Sequence, residues 1–98
     1  DEVYNSVINP IKHIPVLYID DFFKTEKGAK PSNADVMVAF EIINYRYVNG
    51  LTTLISSEKS IDDIRDIDEA IGSRIYQMAE GYRNVIMYEP GRNYRMRK

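Results

Sequence analysis

Asp20 and Asp21 stand directly after the apolar run Ile14-Pro-Val-Leu-Tyr-Ile19. Two carboxylates at the end of a buried strand are what magnesium-dependent nucleotide hydrolysis uses: one acid holds the hydrated metal and another polarises the attacking water. Asp20 is the metal-side candidate. Asp21, one residue on and pointing differently, is the candidate general base. Taken alone the pattern is permissive, and two acids after a strand also serve simply to start a solvated loop. The phosphate-gripping loop that would decide the matter, G-x-x-x-x-G-K-[ST], is absent. Its nearest approach, Gly28-Ala-Lys30-Pro-Ser32, has one glycine, the wrong spacing and a proline that removes an amide.

Other residues with chemistry to offer are few. Ser56, Ser57 and Glu58 close a second apolar run, Leu51 to Ser56. Arg74 lies within Gly72-Ser-Arg-Ile75, and Arg92, Arg95, Arg97 and Lys98 make the segment from Pro90 onward the one basic patch, suited to phosphates of a nucleotide or a nucleic acid. His13 is the single histidine and there is no cysteine, so neither a histidine-rich metal site nor a disulfide is available. Tyr18, Tyr45, Tyr47 and Tyr76 could stack bases, but their places in expected strands and helices favour core or interface. Phe22 and Phe23, after the acids, suit packing under the loop or contact with a partner.

These residues need a frame. Val3, Tyr4, Val7 and Ile8 recur at helical spacing, and Asn9-Pro10 predicts the end of that helix. The unbroken apolar run Ile14 to Ile19 predicts a strand covered on both faces, with Pro15 at its beginning. A loop over Phe22 to Pro31 leads to a cap at Ser32 or Asn33 and a helix from about Asn33 to Val48, with Val36, Phe40, Ile43 and Tyr47, joined by Met37 and Ala39, as its apolar face and Asn49-Gly50 as its end. Leu51 to Ser56 is a second buried strand. Ser60-Ile-Asp-Asp63 forms a capping box with aspartate in place of glutamate, and a break near Ile67 separates a short helix from one carrying Ile71, Ile75 and Met78 up to Gly81. Asn84 to Tyr88 is a third strand, Pro90-Gly91 a turn, and Asn93 to Arg97 a fourth strand. The acidic stretch Asp62 to Asp68 reads as a solvated helix face.

Strands alternating with helices predict an α/β domain with a mainly parallel sheet, whose ligands bind at the carboxyl ends of the strands. Asp20, Asp21, Ser56, Ser57 and Glu58 all fall there. Ninety-eight residues hold at most one small domain, and 44% hydrophobic with 29% charged residues is the balance of an ordinary globular protein. The chain has no apolar run long enough for a membrane span and no signal peptide at its start, which gives a cytoplasmic reading without membrane partners. It opens inside a helical pattern without methionine, as a piece of a longer protein does.

From Ile14 to Arg97 the sequence resembles the C-terminal part of the DnaC-like helicase-loader ATPases of bacteria and phages, a group within the AAA+ class. The resemblance is carried by Leu17-Tyr-Ile-Asp-Asp21, Phe40-Glu-Ile-Ile-Asn-Tyr-Arg46, Leu51-Thr-Thr-Leu-Ile-Ser-Ser57, Ile71-Gly-Ser-Arg-Ile75 and Asn93-Tyr-Arg95, in that order. It implies a partial P-loop NTPase fold: a three-layer sandwich on a mainly parallel sheet, lacking the N-terminal strand and phosphate loop, with residues 1–98 as the C-terminal portion of one ATPase domain. It implies ATP and Mg2+ as cofactors of the full-length protein, with Asp20 at the metal, Asp21 as base and Ser57 as the polar sensor. Glu58 departs from the family's usual sensor ending. Arg74 matches the arginine finger that reaches a neighbouring subunit's ATP, and Arg95, with Arg92 and Arg97 as competitors, matches the terminal sensor arginine of the same subunit. The partners implied are a replicative DNA helicase, single-stranded DNA and further copies of the protein in a homo-oligomer. Two rival readings use the same residues: a transposition accessory ATPase acting with a transposase on duplex DNA, and a protein- or DNA-binding module that has lost ATPase function.

Overall fold

The computed structural model describes residues 2–26 and 29–80, together with the backbone of 85–88. The order is α1 (Glu2–His13), β1 (Val16–Ile19), α2 (Asn33–Val48), β2 (Thr52–Ser57), α3 (Ile61–Ile67), α4 (Glu69–Glu80) and β3 (Val85–Tyr88). The strands form one parallel sheet in the order β1-β2-β3, with Val16 opposite Thr52 and Leu54 opposite Val85. The expected α/β class and parallel sheet are therefore present. The possible fourth strand at 93–97 and the turn at Pro90-Gly91 lie outside the described residues.

Helix boundaries follow local chemistry. Ser32 is the cap of α2, accepting from the Asp35 amide at 3.1 Å. At the other end Gly50 takes φ of 63°, the left-handed turn that a side chain resists. The capping box of α3 is complete: the Asp63 amide donates to the Ser60 hydroxyl and the Ser60 amide to the Asp63 carboxylate, both at 3.1 Å. Asp68 then starts α4 by accepting from the Ile71 amide at 2.9 Å, so the last acid of the 62–68 stretch caps a helix, while Asp62, Asp63 and Asp66 are solvated. Gly72 lets α4 cross α3 closely, because a Cβ there would lie 2.9 Å from the Arg65 backbone nitrogen.

The core is one cluster on one side of the sheet: Ile43 and Ala39 of α2, Ile64 of α3, Ile71, Ile75 and Met78 of α4, Ile55 of β2, and Phe22 from the turn after β1. Alternation along the strands puts Thr53 and Ile55 under this layer and Val16, Tyr18 and Leu54 on the opposite face. That opposite face is incompletely covered. Val16 and Tyr18 are 54% and 52% exposed, which corrects the expectation of a β1 buried on both sides. The described residues thus build two layers rather than the expected three-layer sandwich. Of the expected apolar face of α2, Ala39 and Ile43 are buried and Val36 and Phe40 pack against the core, whereas Met37 and Tyr47 reach the surface and Arg46 is the unexpected buried residue. Tyr18 and Tyr76 are likewise at the surface, which removes the core half of the core-or-interface expectation for them, whereas Tyr45 is half-buried against the His13 ring.

The first helix does not end near Asn9-Pro10 but continues to His13, and β1 begins at Val16 rather than Ile14. The cause is Arg46. Its guanidinium is completely buried and donates to the carbonyls of Ile11 (3.3 Å), Lys12 (3.0 Å), Ile14 (2.7 Å), Pro15 (3.5 Å) and Thr52 (2.6 Å), and its Nε donates to the Thr53 hydroxyl (2.9 Å). These include the last carbonyls of α1, which a helix end otherwise leaves without partners and where a cation also meets the negative end of the helix dipole. An ion pair from Lys12 to Glu41 at 3.0 Å and a bond from the Tyr4 hydroxyl to Glu41 at 2.6 Å fasten the same helix to α2. Tertiary bonds therefore hold the turn past Pro10 that the local sequence disfavours.

Two outcomes are expected. Arg46→Met leaves several buried carbonyls without donors, each costing about 1–3 kcal/mol, so urea unfolding should show a loss of about 3 kcal/mol or more. Arg46→Lys should recover little of it, because a point-charge ammonium cannot reproduce the planar fork. The second concerns pH. The Tyr4 hydroxyl, and then Lys12, hold the Glu41 carboxyl below the usual carboxylate range. A lowered folded pKa gives stability that is present above the unfolded value and lost as pH falls through the folded one. Thermal unfolding of Glu41→Gln should therefore lose part of the wild type's decline in stability on acidification below the ordinary glutamate range.

Candidate functional site

The two acids sit where β1 ends against the end of its parallel neighbour β2. Continuing the register one residue past Ile19 and Ile55 brings Asp20 beside Ser56. The Ser56 hydroxyl donates to Asp20 Oδ1 at 2.5 Å and accepts from the Asp21 amide at 3.2 Å. The Tyr18 hydroxyl lies 3.4 Å from both Asp20 Oδ1 and Ser56 Oγ, completing a polar cluster on the thinly covered face of the sheet. Asp20 is solvent-exposed and Asp21 is half-buried.

The turn that follows is strained and bolted down. Asp21 and Phe23 have φ of 56° and 60°, a region non-glycine residues rarely enter, Phe least comfortably. Between them Phe22 turns inward, 7% exposed, and stacks on Phe23 with ring centres 4.3 Å apart. The packing alternative for this pair is the one observed. Phe22 is gripped at both backbone groups: its amide donates to the Ser56 carbonyl at 2.8 Å and its carbonyl accepts from the Ser57 hydroxyl at 2.9 Å. The Lys24 amide closes the turn on the Asp21 carbonyl at 2.9 Å. Strain held by so many fixed bonds marks a conformation that the surrounding structure imposes, of the kind found where side chains must be presented in one geometry.

Ser57, the expected sensor, faces the other way. Its hydroxyl is wholly buried, donates to the Phe22 carbonyl and accepts from the Lys59 amide at 3.0 Å. Two adjacent serines on one strand point to opposite faces, and Ser56 is the one beside the acids. The sequence offered a signal for this, the alternation of β2, but only once the pairing register with β1 is known. Glu58 is half-buried, beyond the strand end.

Arg74 is not brought to Asp20. Its Nε donates to Asn44 Oδ1 at 2.7 Å, its Nη1 to the Ala70 carbonyl at 3.2 Å, and its guanidinium lies 5.3 Å from the Phe40 ring centre and 5.8 Å from that of Tyr47. It joins α4 to α2 on the helical side of the sheet, whereas Asp20 faces the opposite side. Arg95, with Arg92 and Arg97, lies outside the described residues. His13 Nδ1–H donates to the Asn9 carbonyl, 2.6 Å away, and the ring packs on Tyr45.

Among the described residues no group of three His, Cys, Asp or Glu side chains is placed to hold a metal ion. Asp20 fits one carboxylate contact to a hydrated Mg2+, an ion that keeps several waters and takes the rest of its ligands from phosphates. Beside β1 a groove of about 480 Å³ runs from Leu17 and Ile19 to Val38 and Ile42 of α2, with Asp20 and Asp35 at its rim; its lining is mostly apolar. No helix of the described residues is long and apolar enough to cross a membrane.

The docked position of Arg74 gives an expected outcome independent of any reaction. Arg74→Ala removes a part-buried charged hydrogen bond and two cation–aromatic contacts, so it should destabilise the fold by about 1–3 kcal/mol in chemical denaturation. Asn44→Ala should give a smaller loss that is not additive with it, as measured in a double-mutant cycle.

Two proteins of Bacillus subtilis (strain 168) are similar to the chain: the uncharacterized protein YqaM, 46% identical over 81 residues, and the phage-like element PBSX protein XkdC, 41% identical over 81 residues. Each alignment takes in 81% of this chain but only 26% of YqaM and 30% of XkdC, so the chain spans less than a third of the length of these relatives. No protein-family model matches the chain, and neither does any solved structure.

Proposed function

We propose that this chain is the C-terminal portion of an AAA+-like P-loop ATPase domain of the DnaC-like helicase-loader kind. The longer protein containing it binds and hydrolyses ATP, in the cytoplasm, to load a replicative helicase on single-stranded DNA. The observation that carries this reading is the acid pair at the carboxyl end of a parallel strand, presented by a strained turn that the neighbouring parallel strand holds. Crevices outside the carboxyl ends of such strands are where open α/β sheets take their ligands. The phage-like element in the name of XkdC fits the bacterial or phage provenance that the resemblance implies.

In this reading Asp20 holds the hydrated Mg2+, whose charge offsets that of the phosphates, and Asp21 orients the attacking water and takes its proton. The phosphate-gripping residues come from outside the 98. Arg95 serves its own subunit's nucleotide, and Arg74 acts on that of a neighbour, after release from Asn44, Phe40 and Tyr47, within a homo-oligomer. The binding-module alternative draws on the same docked arginine: if Arg74 never leaves α2, its role is structural.

The test is Mg2+-dependent ATP hydrolysis by the full-length protein. Asp21→Asn should lower kcat by about 10²-fold or more, as loss of a general base does, with little change in KM. Asp20→Asn should raise the Mg2+ concentration needed for half-maximal rate. A folded Asp21→Asn protein with wild-type turnover would exclude the catalytic assignment. Pull-down of the cognate replicative helicase, sensitive to nucleotide, separates a loader from a transposition protein.

A further inference from the structure

We propose that Ser56 is the positioning residue of the acid pair, fixing the Asp20 carboxylate and the Asp21 backbone with one buried hydroxyl; this rests on the ATPase reading above. A hydroxyl has one proton to donate and two lone pairs to accept with. At Ser56 the proton goes to Asp20 Oδ1 at 2.5 Å, the short distance of a charge-assisted bond, and a lone pair takes the Asp21 amide at 3.2 Å. Tyr18 is placed to use the other lone pair. Ser56 is 1% exposed, so its hydroxyl spends its bonding on the turn rather than on solvent.

The same residue acts twice on the turn. Its hydroxyl accepts the Asp21 amide and its carbonyl accepts the Phe22 amide, so Ser56 brackets the residue held at φ of 56°. Removing the hydroxyl leaves Asp21 with one tether fewer against its strain and takes from Asp20 its 2.5 Å bond. Ser57 contributes to the turn only through Phe22, on the core side, and touches neither acid. The adjacent serines therefore divide the work: Ser56 holds the Asp20 carboxylate and the Asp21 backbone, and Ser57 anchors the Phe22 backbone beside them.

The experiment compares Ser56→Ala, Ser56→Thr and Ser57→Ala in the full-length protein, with Mn2+ as the metal probe and thermal unfolding as the check that each variant folds. Groups that orient a metal ligand are worth about 10- to 100-fold in metal affinity or activity, so Ser56→Ala should raise the Mn2+ half-saturation and lower kcat by that order while the KM for ATP stays within about twofold. Ser56→Thr, which keeps Oγ, should restore both. Ser57→Ala should lower the unfolding temperature without moving the metal dependence. Folded Ser56→Ala with wild-type Mn2+ half-saturation, or a metal shift in Ser57→Ala alone, would overturn the assignment. If the wild type shows no metal-dependent turnover, the ATPase reading fails, and hydrogen exchange then decides the positioning role alone: the Asp21 amide should exchange faster in Ser56→Ala, and unchanged protection would sink it.

Discussion

One buried cation, Arg46, organises the described residues. Arg46 joins the end of α1, the approach to β1 and the start of β2 through five backbone carbonyls and the Thr53 hydroxyl, with no carboxylate bonded to it among the described residues. Burial pulls the guanidinium down from its ordinary pKa, yet an arginine remains charged throughout the accessible range. Moving such a charge out of water is tolerable only with nearly complete hydrogen bonding, and the planar fork supplies it. The consequence reaches the acids. The α1–β1 connection and the first residue of β2 are set by one rigid group, so the pairing that places Asp20 against Ser56 begins with Arg46 at the opposite end of the same two strands.

This dependence also explains what could be read from the sequence. The α2 helix, the capping box at Ser60 and Asp63, the break between α3 and α4 and the parallel sheet are local or periodic features, and they were legible. The continuation of α1 past Pro10 was not, because it rests on Arg46 and Glu41, which are distant in sequence. The burial of Arg46 was not legible for a related reason: a charged side chain is ordinarily at the surface, and its partners here lie on α1, the approach to β1 and β2. Asp20 and Asp21 were found from the strand they end. Which of Ser56 and Ser57 attends them depends on face, and face depends on register, a property of two strands together.

The turn holding the acids shows how stability is allocated. Left-handed φ at Asp21 and Phe23 costs of order 1–3 kcal/mol each. Against this stand the burial of Phe22, worth about 1.5–3 kcal/mol, and three bonds from the end of β2 to Asp21 and Phe22. The terms are comparable, so the turn is sustained by its neighbours rather than by its own preference. It is rigid only while β2 stays in register, which ties presentation of the carboxylates to the integrity of the sheet.

Arg74 poses the corresponding question for any role between subunits. In this structure its guanidinium is held by Asn44 and lies over two rings, contacts whose release costs about 1–3 kcal/mol. An arginine finger is worth about 10³ to 10⁵ in rate, and at 1.36 kcal/mol per decade that is about 4–7 kcal/mol of transition-state stabilisation. The second quantity exceeds the first. Docking on α2 is therefore compatible with a finger that swings out when a neighbour presents a triphosphate, and it keeps the charge satisfied when none is present. The same arithmetic sets a bound: contacts between Arg74 and α2 stronger than about 7 kcal/mol would cancel the gain, and one hydrogen bond to Asn44 with two offset rings falls well short of that.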